Sequence, residues 1–66
     1  MNPDSAELMK LFHTLNNQLG IILSHAELIE AKAQDDAQKA RATQVVTSTL
    51  EALATSRQIR LTIEPV

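Results

Sequence analysis

The sequence predicts an all-α fold: an antiparallel helical hairpin that homodimerises into a four-helix bundle. Three observations carry that expectation. Apolar residues recur in alternating steps of four and three through the first half of the chain, a spacing that puts them on one line of a helix. The polar string Gln34-Asp35-Asp36 interrupts the pattern once, and helical periodicity resumes after it. With 66 residues, one Phe and no Trp, Tyr or Cys, a lone hairpin has little to bury, so a second copy is the expected source of stability.

Residues 1–4 are expected to form an N-terminal cap. Asp4-Ser5-Ala6-Glu7 has capping-box spacing, in which Asp4 accepts from backbone N–H groups and Glu7 reaches back. Helix 1 then spans about 5–33, with Phe12, Leu19, Ala26 and Ala33 at heptad position a and Leu8, Leu15, Ile22 and Ile29 at d. No proline breaks this seam, and Gly20 costs only about 1 kcal/mol relative to alanine. Asp35 followed by Gln38 repeats the capping signature, so helix 2 is expected over about 36–61. Its stripe of Ala42, Val45, Val46, Thr49, Leu50, Ala52, Leu53, Ser56 and Ile59 is wider and poorer in large apolar groups. Residues 5–61 thus make one helical hairpin, since a short connection lays consecutive helices antiparallel. The tail 62–66 is expected to be extended, because Leu61-Thr62-Ile63-Glu64 alternates and Pro65 cannot continue a helix.

Composition excludes several functional classes. The net charge is −2 with Lys and Arg scattered, which disfavours nucleic acid and anionic membrane surfaces as partners. Ile21-Ile22-Leu23 is far shorter than a membrane span, and the first residues lack the pattern of a signal peptide, so a cytoplasmic protein is expected. Without cysteine there is neither a disulfide nor a thiolate metal site. His13 and His25 lie twelve residues apart without clustered carboxylates, so no metal site is expected.

In this heptad frame His13, Asn17, Gly20, Ser24 and Glu27 fall on one line of helix 1 directed away from the seam. An imidazole is thereby offered to solvent with an amide one turn above it, beyond which Gly20 and Ser24 leave a low shelf. Thr14, Ile21 and Leu28 share position c; Ile21 and Leu28 serve either as dimer-edge packing or as part of a docking patch. On periodicity alone an exposed histidine is an ordinary surface residue, and Asn16-Asn17 could be solvated polar filler. His25 reads as a seam or interface residue, and Arg57 and Arg60 as cations near the carboxyl end of a helix dipole.

At Phe12–Leu28, FHTLNNQLGIILSHAEL, the sequence resembles the dimerisation and histidine-phosphotransfer domain of sensor histidine kinases. The likeness is to members whose first helix carries His-Asp-Phe-Asn-Asn-x-Leu followed by Gly/Ala-x-x-Glu-Leu. The matching residues are His13, Leu15, Asn16, Asn17, Leu19, Ile22, Ala26, Glu27 and Leu28, and the second helix offers a weaker match at Leu53-Ala54-Thr55-Ser56-Arg57. The resemblance covers about residues 8–60. It implies that His13 is the phosphoacceptor, exchanging a phosphoryl group with the Asp of a response-regulator receiver domain. Asn17 would be a polar aligner, as in members that use an amide to orient water. Asn16, Gly20, Ile21 and Ser24 would form the partner-docking surface. No cofactor is expected in this chain, and Mg2+ would come from the partner receiver domain. Neutral imidazole suits such chemistry, because phosphoryl transfer asks mainly for positioning and charge neutralisation.

Two departures from the family pattern bear on activity. Thr14 replaces the acidic residue that usually follows the histidine and accepts its proton during transfer from ATP. The chain also lacks the Gly-rich lid and acidic boxes of an ATP-binding domain, so no autonomous kinase activity is expected. A histidine phosphotransferase, or a histidine kinase fragment served by a kinase or ATP-binding domain in trans, fits these features. The alternative is a catalytically inactive dimerisation and regulator-binding module derived from a histidine kinase.

Overall fold

A computed structural model describes residues 5–63. Two α-helices of 28 residues each, α1 (Ser5–Lys32) and α2 (Asp36–Ile63), pack against one another. Their antiparallel course follows from two side-chain hydrogen bonds. Thr43 donates to Glu30 beside the turn (2.6 Å), and Ser56 donates to Asn16 near the other end (3.2 Å). The molecule is a rod, 51 × 18 × 16 Å.

The turn is built locally. Ala33 N–H reaches the Glu30 carbonyl at 3.4 Å, a tightened last turn that ends α1. Asp35 then caps α2: its Oδ1 accepts from the Gln38 N–H at 2.7 Å, and its carbonyl accepts from Lys39 N–H at 3.0 Å. The expected capping role of Asp35 is therefore present in side-chain detail. Asp4 and the rest of the expected N-terminal cap lie outside the described residues.

At its far end α2 continues through Ile63, so the extended tail expected from residue 62 is helical at Thr62 and Ile63. The Thr62 hydroxyl donates to the Gln58 carbonyl (2.8 Å), bonding back onto its own helix. An alternating triplet such as Leu61-Thr62-Ile63 does not oppose helix strongly enough to stop one already propagating. Residues 64–66 lie outside the described residues.

The interface between the helices differs from the expected a/d seam. Among the described residues Ala26, Ala42, Thr49 and Ser56 are the buried ones, all small, and they let the helix axes approach. Around them Phe12, Leu19, Leu23, Val46 and Leu53 are half-buried. From Asn16 onward the covered positions on α1 are a and e: Asn16, Leu23 and Glu30 occupy e, while Leu15, Ile22 and Ile29 at d stay 40%, 47% and 60% exposed. In the first turns the order is reversed, with Leu8 at d half-buried and Met9 at e exposed. One neighbour covers only one stripe of a helix, and here α2 lies on the e side of the a line. Ile29 and Val45 line a common groove with Ala26 and Ala42, so the uncovered d edge of α1 continues onto α2. No large side chain among the described residues is fully buried.

Candidate functional site

His13 sits in the third turn of α1 and is exposed, as is Asn17 one turn further on. Ser24 and Glu27 on the same line are exposed, while Gly20 is half-buried. A Cβ added at Gly20 would meet nothing within 4 Å. The hairpin's own packing therefore gives no reason for glycine there, although alanine would be the better helix former. Ile21 is 59% exposed and Leu28 55% exposed, which leaves two apolar side chains uncovered beside this line.

Thr14 and Asn16 are committed within the chain. The Thr14 hydroxyl donates to the Lys10 carbonyl at 3.0 Å, the ordinary back-bond of a helical threonine. It holds no basic group next to His13. Asn16, expected on a docking surface, is half-buried against α2, where its Oδ1 accepts from Ser56 Oγ. With the oxygen engaged, the amide nitrogen is left to donate elsewhere.

The same cross-helix contact opens a feature that periodicity did not reveal. A groove of about 380 Å³ between the helices is lined by Asn16, Leu53, Ser56, Arg57 and Arg60. The antiparallel course brings the last turns of α2 alongside the first turns of α1, so Arg60 lies at the level of the turn that carries His13. Arg57 and Arg60 were expected only to complement a helix dipole. Their joint place with Asn16 depends on which positions pair across the hairpin, and no local pattern in the sequence states that pairing.

His25, at position g, is exposed. Among the described residues no group of three or more His, Asp or Glu is placed to hold a metal ion. Nor, among them, is any helix long and apolar enough to cross a membrane. Compared with protein-family models, curated proteins and solved structures, the chain matches none.

Proposed function

We propose that this chain is a cytoplasmic phosphotransfer module of two-component signalling that works as a homodimeric four-helix bundle. His13 carries the phosphoryl group. A ring nitrogen attacks the phosphorus of a receiver's aspartyl phosphate, the P–N bond forms as the acyl P–O bond breaks, and the receiver carboxylate leaves. Transfer in the other direction reverses these steps. Asn17 aligns the incoming group or a water without titrating. The receiver domain brings the Mg2+ that neutralises phosphoryl charge.

The observation that carries this reading is an exposed imidazole beside a shelf that the protein's own packing leaves open at Gly20. The apolar edge of Leu15, Ile22, Ile29, Val45 and Ile59 supports dimerisation. Each of these is at least 40% exposed in the single hairpin, and large apolar side chains left in water are what a second copy would cover.

The test is to incubate the full chain with a panel of phosphorylated receiver domains and with histidine kinases supplied in trans. Acid-labile, base-stable label on the wild type and none on His13→Gln is the expected result. Failure of the wild type to take label from any member of a broad panel would overturn it.

The Thr14 back-bond favours a second reading, in which the fold is kept as a dimerisation and regulator-binding module without transfer. In that case His13→Gln binds the receiver or kinase as well as the wild type and retains its regulatory effect.

A further inference from the structure

We infer that His25 makes the pairing of two copies depend on pH: the neutral imidazole is covered when the copies associate, and its protonation drives them apart. This rests on the dimeric reading above and gives a role to a residue that phosphotransfer leaves without one.

His25 stands inside the apolar flank of α1, not at its rim. Residues three and four positions away on a helix are surface neighbours. For His25 these are Ile21, Ile22, Leu28 and Ile29, all large, apolar and exposed. The imidazole is exposed among them. From Leu11 to Ile29 the c, g and d lines carry no Asp, Glu, Lys or Arg.

The occupant that fits this face is a second copy. Among the described residues the hairpin buries only Ala26 and Ala42 as apolar core, too little to hold a chain of 66 residues by itself. A two-fold contact sets a surface against itself, so any charge on it meets its like. An uncharged apolar face suits that symmetry, and it offers a charged partner nothing to complement.

The charges around His25 decide the direction of the effect. On its own line the nearest is Lys32, two turns on and about 10.5 Å along the axis. From α2, Arg41 reaches the same flank, where it lines a groove with Ile29 and Val45. Residues 42–50 of α2 hold no charged group, and Glu51 beyond them is exposed. Glu27 lies around the helix on the b line, and Glu30 is bonded to Thr43 on the opposite flank. A protonated His25 therefore meets apolar groups and cations, and a second copy brings the same set. Covering a charge without a partner is costly. A neutral ring, with one donor and one acceptor, is covered at much lower cost. Association is thus at full strength above the titration range of imidazole, about pH 5–8, and weakens as pH falls through it.

The experiment is analytical ultracentrifugation of the full chain across a concentration series at about pH 7.5 and about pH 5.5, at fixed ionic strength. The dimer dissociation constant should rise roughly 10- to 100-fold at the lower pH, as two rings per dimer take up protons. His25→Gln should remove most of this dependence, and His25→Lys should weaken association at both pH values. Each replaces an exposed residue, so the hairpin stays folded, which far-UV circular dichroism checks. His13→Gln should keep the dependence of the wild type, which assigns it to His25. A constant unchanged by pH, a constant that falls at the lower pH, or a dependence that survives in His25→Gln would each overturn the inference. A dimer insensitive to pH removes the switch and leaves the bundle standing. A monomer at every pH and concentration removes both.

Discussion

The two flanks of the hairpin differ in chemistry although the same two helices build both. On one flank the d edge of α1 and its continuation on α2 show Leu15, Ile22, Ile29, Val45 and Ile59, all large, apolar and exposed. On the other, Glu30 bonds Thr43, Asn16 bonds Ser56, and two arginines line a groove. Apolar area left in water favours any contact that removes it. Polar groups that already satisfy one another gain little from being covered. The apolar flank is thus suited to permanent association, and the polar flank, with His13 at its border, to a partner that comes and goes. On the proposed reading, dimerisation and phosphotransfer fall on opposite sides, so each should be alterable separately.

The sharpest way to break this division is at the imidazole. His13→Gln is expected to remove phosphoryl label completely while the sedimentation behaviour of the protein is unchanged. If the variant no longer dimerised, the two flanks would not be independent. Next in size is Ile22→Asp on the apolar edge. Each copy loses about 1.5–3 kcal/mol of burial and gains a charge in the interface, so the dimer dissociation constant should rise by roughly 100-fold or more. Analytical ultracentrifugation across a concentration series reads this directly, and an unchanged constant would place the dimer contact elsewhere.

Smaller effects probe the turn and the shelf. Asp35→Ala removes the acceptor for the Gln38 N–H and should cost about 1 kcal/mol in urea unfolding, without loss of label on His13. Gly20→Ala sharpens the comparison most, because its two consequences have opposite sign. With open space around the new methyl, stability should rise by up to about 1 kcal/mol. Affinity for a receiver seated on the shelf should fall. A variant that is more stable and binds no worse would show that the partner docks away from Gly20.

Much of the architecture could be read before any coordinates. The heptad steps from Leu8 to Ala33 mark one long helix, Gln34-Asp35-Asp36 marks its end, and Asp35 with Gln38 marks the start of the next. These are local signals: each depends on residues within one or two turns, which is the range of helix periodicity and capping. The exposure of His13 and Asn17 was legible for the same reason. They lie on the b and f lines, which a neighbour over the a line leaves mostly open, half-buried Gly20 being the exception. The end of α2 was harder to read, because Leu61-Thr62-Ile63 is compatible with either period and Thr62 can satisfy its hydroxyl within a helix.

What the sequence determined by itself is therefore the two helices, their turn and the residues that share each line. The tertiary structure decided which line faces which. A repeat of four and three fixes the positions beside the a line but not the side on which a second helix lies, because that depends on the path of the chain through the turn. Here the path covers e rather than d. It turns Asn16 inward to Ser56, gathers Arg57 and Arg60 beside it, and leaves Leu15, Ile22 and Ile29 in water. Pairing residues 40 positions apart is a property of packing, and no local period encodes it.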